Sequence, residues 1–480
     1  MVCDENGGAA IVIPNVLADR YASVDMTRLW SPEHKVVLER QLWIAVMCAQ
    51  HTLGVDIDPA AIEDYEQVVE KVDLDAIRAR ERVTRHDVKA RLEEFSAMAG
   101  HEVAHRGMTS RDLTENTEQL QVLRSLELAR DRVVSLLVAM AGRASEFATT
   151  ALIGRSHNVP AQITTLGKRF ASAAEELLMG YQRLQAVIET YPLRGLKGPV
   201  GTQQDQLDVL GGDAAQLALL ERAVADHLGF SSTMDSVGQV YPRSMDLDVV
   251  AALVQAASSP SSLATTIRLM AGQELATEGF LPGQVGSSAM PHKMNARSCE
   301  RVTGLKVVLG GHLAMVTDLA GTQWNEGDVS CSVVRRVALP DAFLAFDGLC
   351  LTMLAVLRGF GAYPAVIANE VQAYLPFVAT TRLLTAATVA GMGREQAHEL
   401  IKHHAVDAAL ARRVGDDADL LQRLADDGDF PLDRQAIAEV IDGQGFSGAA
   451  SSQVERVVER VGVVADRHPQ AATYEGDDIL

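Results

Sequence analysis

From Arg111 to Ala141 the chain runs without a glycine or a proline. Within that run Leu113, Leu120, Leu123, Leu126, Val133, Leu137 and Met140 recur at steps of three, four and seven. Those steps put side chains on one side of an α-helix, so the run predicts one long helix with a buried stripe. Thr109 or Ser110 can cap it, with Asp112 in its first turn. Similar patterns predict long helices over 160–188, starting at Pro160, over 243–279 with a kink at Pro260, over 300–321 and over 334–358. Antiparallel helices of this kind bury their stripes against one another as a bundle.

The flanks differ in grain. Ser31 as cap, Pro32 at the first helical position and Glu33 open a helix over 31–54, and shorter amphipathic helices fill 59–104. After residue 362 the helices shorten to 364–375, 380–391, 394–411 and 416–426, with Gly and Asp clusters between them. The sequence therefore predicts an all-α chain of three domains: 1–111, N-terminal and helical; 112–362, the central long-helix bundle; and 363–480, a small helical domain. The segment 193–213 reads as a loop or small hairpin, and the residues from His468 onward as a frayed acidic tail.

Composition narrows the function. Lysine and arginine number 43 against 63 aspartates and glutamates, a net charge of −20 over 480 residues. Such a surface repels phosphate backbones and anionic lipid, which argues against nucleic-acid and membrane binding. An anionic substrate would need a local basic pocket. Cys3, Cys48, Cys299, Cys331 and Cys350 show neither a CxxC pair nor a metal-ligand spacing, as expected of a reducing compartment. The N-terminus has no basic region ahead of its short apolar run, and no stretch reads as the ~18 apolar residues of a membrane span. A cytoplasmic enzyme that needs no cofactor and no metal is the expectation.

One stretch does not suit a bundle. Residues 280–298, FLPGQVGSSAMPHKMNARS, separate two long helices, and Gly283, Gly286, Ser287, Ser288 and Pro291 forbid a regular helix. A loop of that length in a compact helical domain is either a functional lid, with glycine hinges, or an exposed linker. His157, beside Ser156 in GRSHN, is a candidate acid or base, or a structural hydrogen bonder. His86, flanked by Arg85, Asp87 and Lys89, serves a charged helix face equally well. His398, His403 and His404 read as a solvated face. Ser287 and Ser288 need activation before either can act as base or nucleophile. No GxSxG elbow, no P-loop and no GxGxxG after a strand occurs. Basic residues cluster by segment: Arg20, Arg85 with Lys89, Lys168 with Arg169, Lys293 with Arg297 and Arg301, and Arg335 with Arg336.

GSSAMPHKMN closely resembles the signature of the fumarase/aspartase superfamily. GMTSRDLTEN, GRSHNVPAQITTLGKR and WNEGDVSCSVVRR resemble further segments of that superfamily, in its order. The PHK of the signature, RHDVKA (85–90) and PNVLADRYAS (14–23) are similar to the adenylosuccinate lyase family. Carboxymuconate cycloisomerases share PHK but match the other two segments less well. The resemblance implies a fumarase/aspartase-like fold, a homotetramer with a twenty-helix core, and active sites each shared among three subunits. It implies elimination of fumarate from adenylosuccinate and from the succinylated aminoimidazole carboxamide ribotide (SAICAR). By the same resemblance Ser287 is the general base and His157 the general acid. Ser288, Lys293 and Asn295 contact substrate carboxylates with Thr109 and Ser110, and Met294 is a further substrate contact. Arg20 and Tyr21 grip the phosphate, Arg85, His86 and Asp87 face phosphate and ribose, and Gln239, Ser332 and Arg336 complete the substrate contacts. Glu300 has a structural or orienting role.

Four positions depart from the family pattern, one of them Ser156, which stands for a common Thr and keeps the hydroxyl. Ala296 stands for a usual Pro, Arg301 for a common Asn, and Gly327 for an Arg, whose charge Arg335 could replace. A cycloisomerase of the same superfamily and a non-catalytic helical scaffold are the competing readings.

Overall fold

The computed structural model describes residues 13–280, 289–290, 292–416, 419–442 and 445–476. Its five longest described helices are α1 (Ser110–Glu146), α2 (Leu166–Thr190), α3 (Ser244–Gly272), α4 (Arg297–Leu319) and α5 (Ser332–Gly359). They pack as a bundle in which α1 lies on α2 and α5, and α3 lies on α2, α4 and α5. The expected stripe of α1 is buried throughout, from Leu113 to Met140.

The predicted second helix starts six residues late. Pro160 belongs to a strand: β1 (Ala151–Ser156) and β2 (Val159–Thr165) form an antiparallel hairpin, and Thr165 caps α2 through a bond from the Lys168 N–H. Proline is tolerated at the first turn of a helix but also at a sheet edge, and the β-branched run Ile163–Thr164–Thr165 favours the strand. The third helix stops at Gly272 rather than 279, and β3 (Ala276–Thr277) then pairs with β4 (Gly361–Ala362) just past α5. The segment 193–213 holds a short helix, Gln204–Val209, and the helix Ala214–Leu228 follows it.

One continuous apolar core runs from Trp43 and Phe95 in the N-terminal helices through the bundle to Val464. Helix Pro32–Thr52 begins as expected, the Ser31 hydroxyl accepting the His34 N–H at 3.2 Å. Beyond β4, the helices from Pro364 to Asp442 enclose a separate small core around Leu383, Ala397, Leu420, Leu424 and Ile437. Helix Ala450–Arg467 returns to α1 and α2, and its Val454, Val457, Val461 and Val464 join the main core. The tail is docked as far as it is described. The Ser135 hydroxyl donates to the Ala471 carbonyl at 2.8 Å, and the Arg132 guanidinium lies 3.9 Å from the Tyr474 ring centre. His404 is also less solvated than expected, with Nε2 2.6 Å from Asp427.

Contrary to expectation, α4 and α5 are both long and apolar enough to cross a membrane. The most apolar stretch of α5 is 83% buried within the chain, as befits a core helix, whereas that of α4 is only 28% buried. Val307, Val308 and Met315 of α4 are exposed.

Candidate active site

The N-terminus of α1 gathers five of the expected site residues. Thr109 caps the helix, and its N–H donates to Asp112 Oδ2 at 2.9 Å. His86 caps the neighbouring helix Asp87–Ala99, Nδ1 accepting the Lys89 N–H at 3.2 Å. With Nδ1 an acceptor, the neutral ring carries its proton on Nε2, which lies 3.3 Å from the Ser110 hydroxyl. Arg85 joins the preceding helix Leu74–Thr84 to helix Asp87–Ala99 in a left-handed conformation, φ 53°. Asp87 bonds Arg91 at 3.1 Å, and Arg91 reaches back to the buried Glu39 at 2.6 Å. Burial pushes the Asp87 carboxyl up, but Arg91 and the Val88 N–H outweigh it and hold it below its usual range. Glu39 goes the other way: burial raises it more than Arg91 lowers it.

Below that surface α1 carries a ladder of ion pairs. Asp112, Glu115 and Glu118 are spaced three apart and so share one side of the helix. Asp112 accepts from Arg194 at 2.8 Å, and Glu115 accepts from Arg243 at 2.8 and 2.9 Å. Glu118 pairs with Arg335. Each arginine comes from a different place: the loop after α2, the start of α3 and the first turn of α5. Burial pushes Glu118 up, yet Arg335 and Lys35 outweigh it and hold the carboxyl down to about 2. Arg335 also bonds Asp246 at 2.7 Å and the Tyr241 hydroxyl. It is therefore committed to the interior and does not replace a cation at Gly327.

The ladder reaches Gln239. Arg194 donates to the Gly238 carbonyl at 3.1 Å, and the half-buried Gln239 donates its N–H to the Glu326 carbonyl at 2.6 Å. The two segments interlock backbone to backbone. A Cβ at Gly238 would lie 2.2 Å from the Glu326 oxygen, and one at Gly327, where φ is +106°, 2.6 Å from Val240 Cγ2. A side chain at 327 would thus meet Val240 in a backbone conformation that side chains rarely adopt, so the family's Arg does not simply fit in place of Gly327 here.

His157 sits at the tip of the β1–β2 hairpin, exposed, rather than ahead of a helix. Ser156 pairs with Val159, leaving His157 and Asn158 as a two-residue turn with φ of 54° and 61°, both positive as a type I′ turn requires. Arg155 donates to the Asn158 carbonyl at 3.4 Å and pairs with Glu370 of helix Pro364–Val378. Arg169 donates to the Ile153 carbonyl at 3.0 Å. The imidazole itself has no hydrogen bond or ion pair among the described residues.

Ser287 and Ser288 lie outside the described residues, as do Gly283 and Gly286. Lys293, Met294 and Asn295 come just before α4 and line a cleft of about 880 Å³ with Arg268, Glu278 and Tyr363. The Tyr363 hydroxyl donates to Met294 Sδ at 3.7 Å. Glu300 stands 3.5 Å from Arg268, an orienting pair at the same rim. Exposed Arg20 ends a short helix, and Tyr21 packs on Gly348 of α5, with the Arg301 guanidinium 5.4 Å from its ring centre. Ser332 begins α5, and Arg336 is exposed one turn on.

Within one chain the candidates thus form separate groups: Arg85 to Asp87 with Thr109 and Ser110; Tyr21 with Arg301; His157; and Lys293 to Asn295. Sequence reasoning missed the supports: Glu118, Arg194, Arg243, Glu278 and Glu370. The acids spaced three apart inside an apolar stripe were the visible signal, since a charge at a core position needs a partner.

Residues 22–311 match the Lyase family model, and residues 376–457 match the model described as adenylosuccinate lyase C-terminus. The adenylosuccinate lyase of Saccharomyces cerevisiae is 33% identical over 454 residues, covering 92% of this chain and 93% of that protein. That of Methanothermobacter thermautotrophicus is 30% identical over 448 residues, covering 92% and 97%. Among solved structures, the 3-carboxy-cis,cis-muconate lactonizing enzyme of Pseudomonas putida superposes with a TM-score of 0.79 at 18% identity, over 93% of this chain and 99% of that one. A fumarate lyase from Mesorhizobium sp. BNC1 gives 0.77 at 19%, over 92% and 98%. The structural likenesses establish the shared fold, and the near full-length relatives go further: this chain belongs to the adenylosuccinate lyase family and is a lyase.

Proposed function

We propose that this chain eliminates fumarate from adenylosuccinate, leaving AMP, and from SAICAR, leaving the corresponding amide AICAR, as a cytoplasmic homotetramer of purine nucleotide synthesis. The observation that carries the reading is the 3.3 Å approach of His86 Nε2 to Ser110. RHDVKA, which separates this family from the cycloisomerases, there meets TSRD, which the whole superfamily carries. A helix N-terminus and an imidazole N–H converge where an anionic substrate group would be held.

The chemistry follows from the substrate. Ser287 as base takes a proton from the carbon beside one succinyl carboxylate. The electron pair left behind is held as an enolate-like dianion, which Lys293, Asn295, Ser288, Thr109 and Ser110 stabilise. It then forms the double bond of fumarate as the C–N bond breaks, and His157 protonates the departing nitrogen. Arg20, Tyr21, Arg85, His86, Asp87, Gln239, Met294, Ser332 and Arg336 bind the rest of the nucleotide.

Two features support a site shared between subunits. His157 and the Lys293 side chain have no partner among the described residues of their own chain. Helix α4 is apolar but only 28% buried along its most apolar stretch, as expected of a helix that packs on other copies.

Purified protein given adenylosuccinate should release fumarate, followed by ultraviolet absorbance. No turnover, with a carboxymuconate consumed instead, would overturn the reading. Ser287→Ala and His157→Ala should each abolish nearly all turnover, and the two variants mixed under subunit exchange should regain part of it. Inactivity of the mixture would argue against shared sites.

A further inference from the structure

Glu278 stands where the chain leaves β3. The pairing of β3 with β4 fixes the backbone just before it, and the Tyr363 N–H donates to the Leu275 carbonyl at 3.0 Å in the same corner. Just after it, Gly279 has φ +104° and lies against Gly359, where a Cβ would come within 2.8 Å of the Gly359 Cα. The Glu278 side chain turns inward, and the residue is only 7% exposed.

Its carboxylate serves a helix 20 residues away. Oε1 accepts the Ser298 N–H at 2.9 Å, and Oε2 accepts the Cys299 N–H at 2.8 Å. These are first-turn donors of α4, whose N-cap residue is Ala296 and has no side-chain acceptor. A helix N-terminus needs such acceptors and favours a negative charge. Bonds from two N–H groups to one carboxylate are of the stronger, charge-assisted kind. Burial and the Glu278 carboxylate together push the neighbouring Cys299 thiol up. Glu278 thus ties the start of α4 to the β3–β4 corner. Lys293, Met294 and Asn295 line one cleft with it, immediately before the helix it clamps.

We propose that Glu278 is a positioning residue of the elimination: its carboxylate clamps the N-terminus of α4 and so aims Lys293 and Asn295 at the substrate carboxylates. The inference rests on the reading of those two residues given above. A residue that merely stabilised α4 would lower thermal stability without acting through Lys293.

A double-mutant cycle separates the two roles. Glu278→Gln keeps the volume but turns one acceptor oxygen into an NH₂ group facing an N–H. It should lower kcat/KM for adenylosuccinate by about tenfold or more, because a displacement of about 1 Å at reacting groups can cost a hundredfold. Tetramer mass should hold, any fall in melting temperature should stay small beside the loss of kcat/KM, and Glu278→Asp, which keeps the charge, should recover part of the loss. In a Lys293→Ala background the Gln variant should add less than about twofold, since residues acting through one another are not additive. Fully additive losses, or a fall in melting temperature with kcat/KM unchanged, would overturn the proposal. If the Gln variant does not assemble, Glu278→Asp carries the same cycle with the same two outcomes. Turnover by the unaltered chain is the control for the substrate reading, so its failure is distinguishable from a failure at Glu278.

Discussion

At the N-terminal end of α1, Asp112, Glu115 and Glu118 hold three arginines from three distant segments, in surroundings from which water is largely excluded. At the tip of the β1–β2 hairpin, His157 stands in solvent on a two-residue turn, tied down through the Arg155–Glu370 pair and the Asn158 carbonyl. The first arrangement positions Thr109 and Ser110 by locking whole elements together. The second positions one imidazole and leaves it exposed. On the roles proposed above, groups that bind an anion tolerate a rigid, buried foundation, whereas a proton donor presents a free nitrogen. Damage at the two places should therefore read out differently, as lost stability at the ladder and as lost turnover at the hairpin.

The largest effect should come from Glu115→Ala. It leaves Arg243 buried without its counter-charge, and such a break costs about 3–5 kcal/mol. Urea unfolding of the assembled protein measures it, and a loss under about 1 kcal/mol would erase the contrast. Next is the joint replacement Arg155→Met with Glu370→Leu, which removes the hairpin tie without stranding a charge. We expect kcat/KM to fall about tenfold through misplacement of His157, while stability shifts by less than about 1 kcal/mol, as swapping a pair for apolar groups usually allows. Equal loss in both readouts would show that the hairpin is part of the foundation after all.

The smallest effect is one of pH. Glu118 is held down to about 2 by Arg335 and Lys35, against a usual value of 4.5. A depressed carboxyl adds stability that is complete above its unfolded value and is lost as pH falls through its folded one. Stability of the unaltered protein should thus fall between about pH 4.5 and 2, the window of that shift. Glu118→Gln should be less stable near neutrality, with the gap closing in acid. Denaturant midpoints across a pH series test this, and a constant gap would detach Glu118 from the acid response.

Much of this architecture was written in local pattern. The stripe from Leu113 to Met140, the Ser31–Pro32 start and the ends of α4 and α5 follow from spacing and capping residues that act within a turn or two. The hairpin did not, because β2 is a strand only by virtue of its pairing with β1, and Pro160 is compatible with either state. Helix Ala214–Leu228 and the docked tail were hidden by neighbouring Gly and Asp clusters that resembled loops. Of the site, motif positions pointed to His86, Thr109, Ser110 and Lys293. Their supports Arg194, Arg243, Arg335 and Glu278 were not legible, since each works through a partner far away in sequence.

The interlock of Gly238 with Glu326, and of Gly327 with Val240, also constrains how this lineage can change. An arginine at 327, where the family pattern carries one, meets Val240 and a backbone turn that side chains rarely adopt. It fits only once residue 240 has shrunk and the turn has been reshaped. The order of replacements is therefore set by geometry, and a single-step reversion at 327 leads downhill in foldability before any anion contact is regained.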